Sequence, residues 1–270
     1  MLEQIVDFRD EASELARLLA RLSEGDWDRV TQFKGWTIND VILHLYASDW
    51  MAAAAARSAD AYEQIRGDVR RRREGGLSMI EETRLRFPGL RGAALFQRWQ
   101  EQVDELCRLL AVKDPTERLT WSGPGMAVRM FVTARQMETW AHGQEIYDAM
   151  GIERVEHDRI RNIAVIGVKT FGWSFSNRGL PVPEQPPRVE LTAPSGVRWV
   201  WNEDASANVV RGTAVEFCRV VTQVRNVRDT NLSARGEAAS QWMRIAQCFA
   251  GPPAAPPTPG SRYTAASAAS

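Results

Sequence analysis

The sequence predicts a mainly α-helical fold, a four-helix bundle followed by a smaller α+β part. Three observations carry this. Apolar residues recur at helical spacing in four long stretches of the first 150 residues. The pattern changes near residue 178, where Gly179, Pro181, Pro183, Pro186 and Pro187 form a stiff linker. Beyond it, two segments that alternate with period two flank a turn, the mark of a β-hairpin.

The elements follow in order. Residues 2–23 place Leu2, Ile5, Phe8, Ala12, Leu15, Leu18 and Leu19 at the spacing of an amphipathic helix. A turn is expected over Gly25–Gly35. Thr37, with Asp40 three residues later, reads as a capping-box helix start. That helix runs through Val41, Leu45 and Trp50 into an alanine run. Residues 66–78, with Arg70 to Arg73, Gly75 and Gly76, read as a solvated helix end and loop; the alternative is a basic rim beside a site for an anionic ligand. A third long helix spans about Gly92–Leu110. Pro115 and Gly123-Pro124-Gly125 interrupt the chain, and a fourth helix covers about Ala127–Met150, with Gly151 as its stop. A fifth is expected over 157–175. The hairpin pairs 188–192 with 197–201 around Pro194-Ser195-Gly196, and helices follow over Gly212–Arg225 and Gly236–Phe249. The implied organisation is a helical bundle over 1–177, a small α+β domain over 178–250, and a disordered tail over 251–270, where Pro, Ala and Ser dominate.

Composition excludes several classes. The 270 residues are 44% hydrophobic and 25% charged, with no net charge, so no global field draws the chain to nucleic acid or an anionic membrane. No apolar run is long enough to cross a bilayer. The opening helix does not resemble a signal peptide, so the expected location is the cytoplasm, with a monomer or homodimer as the expected state. Cys107, Cys218 and Cys248 are far apart and odd in number, which argues against a disulfide framework and for small core side chains. Arginine greatly outnumbers lysine, which occurs only at Lys34, Lys113 and Lys169; this skew hints at a GC-rich source genome.

The chemistry-bearing residues are few. The three histidines are His44, His142 and His157. Glu138 and His142, four apart on one expected helix, share a face and can reach one cation, although the same spacing also arises as an ordinary helical ion pair. His44 lies on or beside the apolar side of a different helix, where a buried imidazole needs partners for its nitrogens. Two imidazoles and one carboxylate make a zinc set with open positions; iron, nickel and cobalt accept the same donors. His157 reads as a surface or capping residue. Asp49 and Glu145 are candidates for hydrogen bonds to the ligand histidines, or else solvent-facing carboxylates. Trp36, Trp50 and Trp140 read as core, with Trp140 as a candidate cavity or substrate-binding wall.

The run Gly35-Trp36-Thr37-Ile38-Asn39-Asp40-Val41-Ile42-Leu43-His44-Leu45 resembles the signature of the DinB-like superfamily, in which a capped helix leads to the first metal histidine. Met137-Glu138-Thr139-Trp140-Ala141-His142-Gly143 resembles its second metal motif in the Glu-xxx-His form of mycothiol-dependent maleylpyruvate isomerases. The likeness covers about residues 1–150. Gly212–Arg219, Gln223–Arg225, Trp242 and Ala246-Gln247 are more loosely similar to the second domain of that group. The resemblance implies a four-helix bundle with one divalent metal, zinc first, and a low-molecular-weight thiol, mycothiol, as cosubstrate against a small-molecule electrophile. It also implies a second-domain arginine for a substrate carboxylate, Arg225 first and Arg228 second, both of which could instead be surface residues. The competing functions are a hydrolase in which the metal activates water, and a non-enzymatic metal- or ligand-binding protein.

Overall fold

The computed structural model describes residues 2–123, 125–205 and 207–265. By packing, the chain divides into two units, Met1–Ala149 and Met150–Ser270.

In the first unit, α1 (Glu3–Leu19), α2 (Ile38–Arg57), α5 (Gly92–Ala111) and α6 (Val128–Met150) are the long helices of the bundle. Ile5, Phe8, Leu15 and Leu19 of α1 are buried, as are Leu95, Trp99, Val103 and Leu106 of α5. Each such side chain removed from water contributes about 1.5–3 kcal/mol. The capping box at the head of α2 forms as expected: Thr37 Oγ1 accepts from Asp40 N, and Asp40 accepts from Thr37 N at 2.9 Å. Val41, Ile42, Leu43 and Leu45 are buried around the helix, and Ala52–Ala56 bury their small side chains, so α2 is a central helix rather than a one-faced one.

Residues 66–78 are a helix end and loop as expected, and two shorter helices flank that loop. Ser58 is extended (φ −163°, ψ 153°) and its Oγ accepts from Ala61 N, so it ends α2 and starts α3 (Ala59–Glu74). The arginine run 70–73 is therefore the last turns of α3. Asp68 gathers Arg71, Arg72 and, from α4 (Met79–Arg86), Arg86, at 3.5, 3.3 and 2.8 Å. Two two-residue strands, β1 (Arg118–Leu119) and β2 (Met126–Ala127), pair antiparallel ahead of α6. Pro124 of the expected loop lies outside the described residues.

The second unit begins at the end of α6. Gly151 adopts φ 67°, the left-handed stop expected there. The single helix expected over 157–175 is instead a 3-10 turn, α7 (Arg161–Lys169) and α8 (Phe171–Ser176). The Thr170 hydroxyl donates back to Ile166 O at 2.8 Å at the break between α7 and α8. Both helices belong to this unit, so the boundary follows residue 149 rather than 177. The hairpin β3 (Arg188–Thr192) and β4 (Arg198–Trp201) is present, with Leu191 opposite Trp199. It extends to a four-stranded sheet of order β4-β3-β5-β6, in which β5 (Val209–Thr213) runs parallel to β3 and β6 (Ser233–Arg235) antiparallel to β5. The helix expected from Gly212 is thus a strand end followed by α9 (Ala214–Val221), capped by Thr213. With α10 (Glu237–Ile245), Phe171, Phe217 and Trp242 build an aromatic core.

Within the stretch expected to be a disordered tail, Ala254 and Pro257 are tied to the second unit by hydrogen bonds. Gln223 Nε2 and Arg178 donate to Ala254 O, Ala254 N donates to Gln247 Oε1, and Asn226 donates to Pro257 O. Buried amides thus hold a segment that has few apolar anchors. Residues 266–270 lie outside the described residues. Among the described residues no helix is long and apolar enough to cross a membrane.

Candidate metal centre

The capped start of α2 fixes the phase of that helix and turns His44 inward; Glu138 and His142 stand one turn apart on α6. The Glu138 Oε2 atom lies 3.5 Å from His44 Nε2 and 3.5 Å from His142 Nε2. The three donor atoms all lie within 4.8 Å of one another. Tetrahedral coordination at zinc bond lengths separates donors by about 3.4 Å, so the triad has the spacing of a metal site. The imidazole rings are 4.7 Å apart and tilted by 70°, edge to face rather than stacked. The side chains keep 14%, 23% and 12% exposure for His44, Glu138 and His142, enough for one open side.

The electrostatics suit ligation. Burial pushes the His44 imidazole below its usual value, with the nearby His142 and Arg135 acting in the same direction against the attraction of Glu138. It therefore presents a neutral lone pair at pH 7. Burial alone would raise Glu138, but hydrogen bonds and charge from His142 and His44 overcome it and hold the carboxylate well below its usual range.

An aromatic wall borders the triad. Phe33 meets His142 edge-on at 5.0 Å. Trp36 lies 6.3 Å from His142 and nearly parallel to it, and 5.5 Å from His44. Both come from the loop ahead of α2, pinned by a Val30–Thr37 bridge and by Thr31 Oγ1 donating to Trp36 O at 2.9 Å. From the sequence Trp36 reads as core and Phe33 carries no signal of its own. The available cue is the Lys34-Gly35 turn just before a capped, histidine-bearing helix.

Residues 8–147 match the family model described as the mycothiol maleylpyruvate isomerase N-terminal domain. The chain belongs to this family. It is 36% identical over 250 residues to two Mycobacterium tuberculosis proteins, the uncharacterized proteins Rv0036c (strain H37Rv) and MT0041 (strain CDC 1551), covering 92% of this chain and 96% of each relative. Its fold is similar to the crystal structure of the mycothiol-dependent maleylpyruvate isomerase (TM-score 0.55, 15% identity, 86% of this chain and 91% of that one). A histidine-to-alanine mutant of that enzyme matches with a TM-score of 0.52 at 15% identity, over 81% of this chain and 87% of that one.

Within this family member, the other expected site residues fall differently. Asp49 is fully buried but does not serve His44: its oxygens accept from Arg135 Nε at 2.8 Å and Trp99 Nε1 at 3.2 Å. Five residues along a helix turn a side chain by about 140°, which carries Asp49 away from the ligand face. Glu145 is buried, but His142 Nδ1 has no hydrogen-bond partner, so Glu145 does not orient that ring. Trp140 is fully buried, and its position two residues from each α6 ligand turns it about 160° from them into the core rather than the cavity. His157 is exposed at the start of the 3-10 turn and makes no capping bond. Arg225 is buried in the second unit, with Nη1 donating to Val224 O at 3.1 Å, and Arg228 is exposed on the turn that follows.

Proposed function

We propose that the chain is a divalent-metal-dependent thiol enzyme, a mycothiol-dependent isomerase or S-transferase acting on an electrophilic small molecule. The convergence of His44, Glu138 and His142 carries this reading. Family membership and the likeness to mycothiol-dependent maleylpyruvate isomerase support the thiol as cosubstrate. The donor set of two nitrogens and one oxygen suits zinc first, with nickel, iron or cobalt as alternatives.

A divalent ion held by His44, Glu138 and His142 would supply Lewis acidity that lowers a thiol's pKa and favours the nucleophilic thiolate at neutral pH. The chain's residues do the rest. His44 offers a neutral nitrogen and Glu138 a full negative charge, so the set binds a cation without being neutralised by protons. Phe33 and Trp36 shield one side of the site from water, which sharpens every charge interaction beside them. Arg225, with Arg228 as second choice, is proposed to take a substrate carboxylate through its guanidinium fork. The thiolate sulfur bonds to one carbon of a conjugated double bond while the electron pair moves onto the adjoining carbonyl. Rotation and expulsion of the thiolate give isomerisation; protonation with retention of sulfur gives S-transfer.

The test is turnover of an electrophile panel by metal-loaded chain with and without mycothiol. The reading expects turnover only with thiol present and its loss in His44→Ala. Equal turnover without any thiol contradicts it and favours a hydrolase.

A further inference from the structure

We propose that Lys34 is a specificity-determining residue that holds the anionic group of the small molecule bound at the metal centre. Lys34 sits at the tip of the loop that supplies the aromatic wall. Trp36 N donates to Phe33 O at 2.9 Å across it, and Lys34 and Gly35 both adopt positive φ, 53° and 68°. Those are the backbone signs of a type I′ turn, whose first central position favours Asn, Asp or Gly. A lysine there costs backbone strain, and strain of this kind concentrates where a side chain must be presented in one direction.

The direction is visible. The Lys34 Nζ atom stands 4.9 Å from the Phe33 ring centroid and 5.8 Å from that of Trp36. These are the two rings that abut His142 and His44. The side chain is exposed, and among the described residues no carboxylate lies within ion-pair reach of it. Other cations of this unit are matched: Arg84 by Asp40, Arg86 by Glu82 and Asp68, Arg91 by Asp28. Lys34 is thus a cation on an aromatic shelf beside the metal ligands, with its three donor hydrogens unspent. The matching ligand has a carboxylate for Nζ and a flat, conjugated body to lie against the half-buried Phe33 ring. Lysine binds such a group as a mobile point charge.

This inference rests on the metal centre being the small-molecule site, and its test separates the two. Maleate is titrated calorimetrically into the full chain, zinc-loaded and metal-free, for wild type, Lys34→Met and Lys34→Arg, with zinc stoichiometry measured on each. Dimethyl maleate serves as the neutral control. Removing a charged hydrogen-bond donor from an exposed site weakens binding by about three- to fivefold. The expected result is that weakening for maleate in Lys34→Met, recovery in Lys34→Arg, and no change for the ester. Equal maleate affinity in wild type and Lys34→Met, an equal weakening for the ester, or no binding of maleate by wild type overturns the proposal. Failure of the metal reading appears separately, as absence of bound zinc, and the metal-free titrations then decide the role of Lys34.

Discussion

Replacing Asp49 by Ala tests how α6 is held against α2 beneath the triad. Asp49 and Arg135 are 0% and 2% exposed, and the 2.8 Å bond between them is joined by the Trp99 indole. The substitution leaves a guanidinium buried with no counter-charge, and Arg135 Nη2 already lacks a hydrogen-bond partner. Removing one member of a buried pair costs about 3–5 kcal/mol, a large part of a domain's 5–15 kcal/mol. At about 2–4 °C per kcal/mol for a unit of this size, the bundle should melt roughly 6–20 °C lower. Urea unfolding followed by far-UV circular dichroism reads the change directly. Asp49→Leu combined with Arg135→Leu should regain most of the stability, because no charge is then stranded. A cost below about 1 kcal/mol in Asp49→Ala, or a double variant no better than the single one, would show that the buried pair is not what holds the two helices.

Further outcomes follow from other parts of the molecule. Thr37→Ala removes one arm of the α2 capping box and should cost about 1 kcal/mol in urea unfolding, with zinc affinity falling as the first turn frays. Glu190 is held at about 2 by a hydrogen bond from Arg211, aided by Arg188 and Arg198 against its desolvation. Because its folded value is depressed, its contribution is complete above the ordinary 4.5 and is lost only as pH falls through about 2; a carbon-detected NMR titration should place its midpoint near 2, and a midpoint near 4.5 would contradict this. Gly236 adopts φ 90°, and a Cβ there would strike Asn208 Oδ1 and stand 2.5 Å from Ala207 O, so Gly236→Ala should lower the melting point of the second unit by several degrees in calorimetry.

The part of the site legible in the sequence was the part encoded locally. Glu138 and His142 share a helix face by spacing alone, and the Thr37–Asp40 box sets the phase that brings His44 inward. What escaped was set by distant partners. The hydrophobicity of Trp36 says that it is covered, but not that histidines cover it. Asp49 looks like a partner for His44 because both stand on one helix, whereas its charge is claimed by Arg135, 86 positions away. The arginine run 70–73 was legible as a helix end, but the serine cap and the ion pairs to Asp68 that sustain its helix were not. Strands β5 and β6 are short, and the parallel pairing of β3 with β5 leaves no local signal. The tail lacks apolar anchors, so the hydrogen bonds that Ala254 and Pro257 make to side-chain amides could not be read from composition.

The proposed chemistry depends on one cation shared by His44, Glu138 and His142. The zinc content of the chain after loading and exhaustive dialysis tests this, measured by plasma mass spectrometry beside His44→Ala and Glu138→Ala. About one zinc per wild-type chain is expected, and almost none in either variant, with the circular dichroism of all three alike. A wild-type chain that retains no divalent ion, or variants that retain it fully, would contradict a shared cation at this triad.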